Sequence, residues 1–150
     1  MKIYIGTDHT GVKLKEKIRR YLDRKSIVYE DLGSFDSKSK DDYPDFASKV
    51  AERVSRDDKD SFGILICGSG TGMCMAANKV KGIRAATVYD IYSAKKARED
   101  NDSNIVCLRA RGISDSKNMS LIKLFLKTKF SGKERHIRRI RKIGKIERKK

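Results

Sequence analysis

Residues 62–86 read Phe-Gly-Ile-Leu-Ile-Cys-Gly-Ser-Gly-Thr-Gly-Met-Cys-Met-Ala-Ala-Asn-Lys-Val-Lys-Gly-Ile-Arg-Ala-Ala. The run Ile64-Leu65-Ile66 is short, apolar and β-branched, the pattern of a buried parallel strand. Cys67 ends it, and glycines follow at alternate positions: Gly68, Gly70 and Gly72. Good helix formers run from Met73 to Lys79. A strand, a glycine-rich turn and a helix in that order aim unpaired backbone N–H groups at one point, which suits an anion. A thiol at the edge of such a point has its thiolate favoured. An ordinary thiol, with a pKa of ~8.5, is a few per cent ionised at pH 7, and a drop of about one unit makes roughly a quarter of it thiolate. That environment suits a general base, which works best when its pKa lies near the working pH.

The same alternation continues on both sides. Residues 2–6 form a first strand, Thr7-Asp8-His9-Thr10-Gly11 a turn, and Val12, Leu14, Ile18, Tyr21 and Leu22 the apolar stripe of a helix over about 11–24. Residues 27–32 give a second strand. Residues 33–42 are polar and serine-rich, a surface loop. Tyr43-Pro44 opens a helix whose apolar face is Phe46, Ala47, Val50, Ala51 and Val54. Strand three is 63–67, with a helix over about 71–80. Strand four is 84–88, and a helix around 93–98 ends near Asp100-Asn101-Asp102. Strand five is 104–108, and a helix follows through Leu121–Leu126.

A last basic helix spans about 133–147, with Ile137, Ile140, Ile143 and Ile146 three apart. That narrow stripe fits packing on the domain or on a second subunit. Strict alternation of strands and helices predicts one three-layer α/β/α domain, Rossmann-like, with a five-stranded parallel sheet. Ligands of such sheets bind beyond the carboxyl ends of the strands. Asp8-His9, Cys67 with its glycines, and Arg109-Ala110-Arg111 all fall there.

At 150 residues the chain is expected to be a single domain. No run of about 18 apolar residues exists, so no membrane partner is expected. The amino terminus enters a strand directly, without the apolar segment of a secretory leader. Three cysteines make no disulfide framework, so a reducing cytoplasm is expected. Net charge is +16, and residues 133–150, with ten Lys/Arg and two Glu, carry +8 of it. A solvated basic helix explains that excess, and a few of its arginines suffice for a small phosphate.

Nucleotide motifs fail in detail. The dinucleotide fingerprint requires a sixth-position glycine where Met73 stands, and no Gly-Lys-Ser/Thr follows the turn. The two histidines and three cysteines lack metal-ligand spacing, so neither metal nor cofactor is expected. His9 at a strand end is a better site candidate than His136 in the basic helix. Cys74 within a helix and Cys107 within a strand read as buried, inert thiols. Arg135 and Arg139, four apart, share one helix side and can clamp a phosphate.

Taken together, Gly6–Gly11, Asp42-Tyr43-Pro44, Ile66–Gly72, Ala76–Lys79, Gly82–Ala85, Asn101–Asn104 and Arg135-His136 with Arg139 resemble the ribose/galactose phosphate isomerase family, type B ribose-5-phosphate isomerases, over nearly the whole chain. The resemblance implies metal-free interconversion of aldose and ketose phosphates through an enediolate. It implies Cys67 as the base between C1 and C2. Amides of Gly68, Ser69, Gly70, Thr71 and Gly72, with the Ser69 hydroxyl, would hold the enediolate oxygen. Asp8, His9, Tyr43 and Asn101 would bind the sugar, and Arg111, Arg135 and Arg139 the phosphate. It also implies a homodimer or homotetramer with sites shared between subunits.

Where another branch of the family carries a glutamate base, this chain has Met73, which takes no proton. Where the family usually has a ring-opening histidine, this chain has Asp100, an acceptor at neutral pH if its pKa is the ordinary ~4. Asp100 is therefore a catalytic candidate of altered kind. It keeps open a six-carbon substrate such as allose or galactose 6-phosphate. Nucleic-acid binding by the basic helix is the reading from another class. It is disfavoured because no aromatic residue is interleaved with the basic run.

Overall fold

The computed structural model describes residues 1–57 and 60–149. Five strands form one sheet: β1 (Lys2–Thr7), β2 (Val28–Asp31), β3 (Ser61–Cys67), β4 (Ala85–Thr87) and β5 (Ile105–Arg109), in the order β2-β1-β3-β5-β4. Every pairing is parallel. The helices are α1 (Val12–Arg24), α2 (Tyr43–Arg56), α3 (Thr71–Ala77), α4 (Ile91–Glu99), α5 (Asp115–Lys127) and α6 (Glu134–Glu147), with a short 3-10 turn at His9–Gly11.

Alternation along the strands divides the core in two. Ile3, Ile5, Ile64, Ile66, Val106 and Leu108 face α1, α4 and α5, joining Leu14, Ile18, Leu22, Leu121, Ile122 and Phe125. Tyr4, Leu65, Cys67, Ile105 and Cys107 face α2 and α3, joining Val50, Ala51, Val54, Met73 and Ala77. Successive strand side chains point to opposite faces, so an apolar residue at every position is what a sheet covered on both sides demands. β1 lies between β2 and β3; α1, which leads to β2, covers one face of the sheet and α2, which leads on to β3, the other. That strand order opens a crevice beyond the carboxyl ends of β1 and β3, where ligands of such sheets sit.

The expected order of elements is observed, and most ends move by one to three residues, three of them with a visible cause. α3 stops at Ala77 rather than near residue 80. The Asn78 amide leaves the helix to donate to the Ala85 carbonyl (3.0 Å) and accept from the Ala85 N–H (2.9 Å), pinning the start of β4. α4 begins earlier, at Ile91, because Asp90 and Ser93 form a reciprocal capping box. β5 extends to Arg109, whose carbonyl accepts from Asn118 in α5 (2.9 Å). Among the described residues no helix is long and apolar enough to cross a membrane.

α6 packs beside the amino ends of the strands. Its first turn meets the end of α4, where the Ser131 N–H donates to the Glu99 carbonyl (3.0 Å). Its last turn is tied down by the Gly82 N–H donating to Glu147 (2.8 Å). Ile137 and Ile140 are half-buried, whereas Ile143 and Ile146 remain exposed. The stripe thus packs only in part on its own domain.

Candidate active site

β3, the central strand, ends at Cys67, and in the turn that follows Gly70 adopts φ +78°, a left-handed conformation natural to glycine. A side chain there would meet the Leu108 backbone at 3.0 Å. The turn brings the Gly70 N–H to 3.2 Å from Cys67 Sγ, its positive end aimed at the sulfur. The Ser69 hydroxyl accepts from the Thr71 N–H (3.3 Å) and stands at the rim of the same turn. Tyr43 lies directly over Gly72: a Cβ at Gly72 would sit 2.7 Å from Tyr43 Cζ. Only a residue without a side chain admits the ring.

Beside the turn lies an open depression of about 470 Å³ lined by Gly68, Ser69, Thr71, Tyr89, Arg109 and Arg111. Arg111 passes over Gly68, with Nη1 3.8 Å from where a Cβ would be. Cys67 lies beneath the turn rather than in the wall of the depression, and is 4% exposed. Met73, at the position of the other branch's base, is fully buried in the core under the turn.

One strand over, Asp8 and His9 leave β1. The Asp8 N–H donates to the Ile66 carbonyl (3.2 Å), locking the two strand ends together. Asp8 Oδ1 accepts from the Thr10 N–H (2.9 Å) and caps the 3-10 turn. His9 Nδ1 lies 2.8 Å from Asp41 Oδ1, and the same oxygen accepts the His9 backbone N–H (2.9 Å).

The remaining predicted residues stand elsewhere. Asp100 and Asn101 end α4 and lead through Asn104 into the amino end of β5. Asp100 lies 3.4 Å from Lys96 Nζ and 3.7 Å from His136 Nδ1. His136 is buried and shares a 2.7 Å hydrogen bond with the Ser131 hydroxyl. Arg135 and Arg139 are exposed on α6, and among the described residues neither pairs with a carboxylate. Seven residues of β3 at about 3.3 Å each separate the two ends of the sheet by roughly 20 Å. The structure therefore groups Asp8, His9, Tyr43, Cys67–Gly72 and Arg111 at the carboxyl ends. Asp100, Asn101, Arg135 and Arg139 gather at the amino ends.

The sequence reading passed over Asp41 and gave Arg109 a place at the strand ends but no role. Asp41 comes from the polar loop and faces inward, which composition cannot show for one of several aspartates there. Arg109 stacks its guanidinium 5.5 Å from the Tyr89 ring centre, and its Nε is buried without a partner among the described residues. Cys74 is a correction. A hydrogen bond with the Cys107 thiol lowers its pKa most; burial opposes this, and Thr87 and Asn78 reinforce it, so the thiol stands at about 6. That lies below the value expected of an inert thiol in a helix interior, while the same sulfur donates to the Ala85 carbonyl (3.4 Å). Cys107 is fully buried, and its pKa is pushed up by that burial and by Cys74.

A sequence model of the ribose/galactose isomerase family matches residues 3–143. The chain belongs to the ribose/galactose isomerase family. It is an isomerase, as the resemblance implied. A probable ribose-5-phosphate isomerase B of Mycoplasma genitalium is 46% identical over 145 residues, covering 97% of this chain and 95% of the relative. The crystal structure of ribose-5-phosphate isomerase B from Mycoplasma genitalium, with bound ribulose-5-phosphate, superposes with a TM-score of 0.95. Identity is 45%, with 99% of this chain and 97% of that one covered. The type B ribose 5-phosphate isomerase of Trypanosoma cruzi gives 0.93 at 45% identity, with both chains covered in full. The three-layer fold with its five-stranded parallel sheet is thus the fold of these isomerases.

Proposed function

We propose that this isomerase interconverts ribose 5-phosphate and ribulose 5-phosphate through an enediolate, without a metal or cofactor, using Cys67 as the base. The contact that carries the reading is Gly70 N–H to Cys67 Sγ at 3.2 Å, at the carboxyl end of the central strand. A sulfur that faces a backbone dipole and adjoins a glycine turn supports a C1-to-C2 proton transfer. The thiolate removes the proton, and neighbouring amides hold the oxygen on which charge develops. One such donor is typically worth about 3–4 kcal/mol in the transition state. Gly70 donates to the sulfur, and the amides of Gly68, Ser69, Thr71 and Gly72 are left to form the cradle; Asp8, His9 and Tyr43 hold the sugar, and Arg111 reaches the phosphate.

We infer that the site is completed by a second copy of the chain. Arg135, Arg139, Asp100 and Asn101 stand about 20 Å from their own Cys67, too far to touch one pentose phosphate with it. The carboxyl-end surface also exposes Phe35, Tyr43, Tyr89, Ile91 and Tyr92, apolar side chains of the kind that subunit contacts cover. A homodimer, or a homotetramer built of such dimers, brings the two clusters together. The relatives named for ribose 5-phosphate support the substrate, and the three free thiols support a cytoplasmic setting. A six-carbon sugar phosphate is the second reading, favoured by Asp100 at the position where the family usually has its ring-opening histidine.

Turnover of ribose 5-phosphate and of allose 6-phosphate, assayed side by side, tests the proposal. Loss of ribose 5-phosphate turnover in Cys67→Ala, with a substrate analogue still bound, supports the base. Retained turnover sinks it. Arg135→Ala is expected chiefly to raise KM, because phosphate is held alike in ground and transition states. Asp100→His is expected to turn over faster than the parent when ring opening limits the rate. An unchanged rate counts against weaker ring opening in the parent.

A further inference from the structure

Asp41 has no part in the reaction as proposed above, yet its carboxylate is tied to a site residue by two separate bonds. Oδ1 accepts both the His9 N–H (2.9 Å) and the ring Nδ1–H (2.8 Å), and Oδ2 accepts from the Ser39 hydroxyl (3.1 Å). Burial works against its charge, but the Ser34 hydroxyl, the two His9 donors and Ser39 outweigh that and hold the carboxyl at about 2. At neutral pH Asp41 only accepts. The ring nitrogen facing it must then carry hydrogen, and in a neutral imidazole that leaves Nε2 as the acceptor. Among the described residues Nε2 has no hydrogen-bond partner, and about a third of the His9 side chain is exposed (34%).

The loop that brings Asp41 inward is itself anchored. Lys15 is fully buried, and its ammonium donates to Asp31 Oδ1 (2.6 Å) and to the Ser34 carbonyl (2.7 Å). The Gly33 N–H donates to the same Asp31 oxygen (3.0 Å), and the Ser34 N–H to the Thr7 carbonyl (2.6 Å). The other charged groups nearby are committed: Lys15 to Asp31, and Asp8 to Thr10. Asp41 and His9 therefore form a pair set beside the end of β1.

We propose that Asp41 is a positioning residue that fixes His9 in the Nδ1–H tautomer, so that Nε2 is presented as an acceptor to a hydroxyl of the bound sugar phosphate. The identity of that hydroxyl's owner rests on the isomerase reading; the tautomer does not. A carboxylate that grips both the backbone and the ring of one histidine fixes its orientation and its proton together.

The test uses ¹⁵N spectra of the 150-residue chain, which has two histidines. His9 in the parent is expected to show a protonated Nδ1 and an unprotonated Nε2. Asp41→Ala should spread the hydrogen over both nitrogens and lower kcat by about tenfold to a hundredfold, the cost of a misplaced catalytic contact. Asp41→Asn, whose amide oxygen can accept both bonds, should keep the tautomer and most of the rate. A parent His9 with hydrogen on Nε2 overturns the proposal without any variant. So does Asp41→Ala with unchanged ¹⁵N shifts, or with kcat and KM both as in the parent. If the tautomer shifts as expected while the parent turns over no sugar phosphate, the isomerase reading fails and the tautomer assignment stands.

Discussion

Cys74 has an acidified thiol, yet Cys67 is the cysteine set against the glycine turn. Reactivity and position thus separate, and two variants tell them apart. Iodoacetamide at pH 7.5 is expected to label Cys74 first, because its thiol at about 6 is ionised there. Labelling should fade as the pH falls through 6. Cys74→Ser should keep kcat within about threefold, whereas Cys67→Ala should lower it by about 10²–10⁴, the usual worth of a positioned base. Asp41 offers a second measurement. Its carboxyl lies at about 2 in the fold against an ordinary 3.8, so folding favours the ionised form. That stability is present above pH 4 and is lost as the pH falls through 2. The side chain is largely buried, so urea unfolding at pH 7 should show Asp41→Asn less stable by about 2 kcal/mol. The difference should close near pH 2.

The turn from β3 into α3 depends on two glycines for different reasons. At Gly70 a side chain would have to accept φ +78° and a 3.0 Å approach to the Leu108 backbone, which cannot swing aside. Gly70→Ala is expected to cost about 1–3 kcal/mol in thermal unfolding and to draw the amide away from Cys67, lowering kcat as well. At Gly72 the obstacle is the Tyr43 ring, the far end of a side chain that can turn outward. Gly72→Ala should unfold nearly as the parent does, and its loss should appear in KM if the displaced Tyr43 is a sugar contact as proposed. If the two variants lose stability alike, the distinction between backbone and ring contacts is wrong.

Splitting the candidate site between the two ends of the sheet makes subunit exchange the decisive measurement. Cys67→Ala and the double variant Arg135→Ala/Arg139→Ala should each be nearly inactive at low substrate. Unfolded together and refolded as a mixture, they should regain about a quarter of parental activity. Half of the dimers are then mixed, and each mixed dimer has one intact site. A mixture no better than its components would mean that each site lies within one chain.

Local pattern was enough for the α/β alternation, the parallel sheet and the Cys67 turn. Strand runs, helix stripes and glycine spacing are short-range features that backbone geometry reads directly. Even so, helix ends moved where a partner far along the chain captured them, as Asn78 does with Ala85. Pattern could not show which loop aspartate turns inward, because Asp41 meets His9 across 32 residues. Nor could it show that Cys74 and Cys107 share a proton environment, since a thiol's acidity depends on what packs against it. The separation of Asp100, Asn101, Arg135 and Arg139 from Cys67 likewise belongs to the tertiary structure. Strand direction and crossover decide which end of the sheet a loop reaches, and no residue type in those loops records that choice.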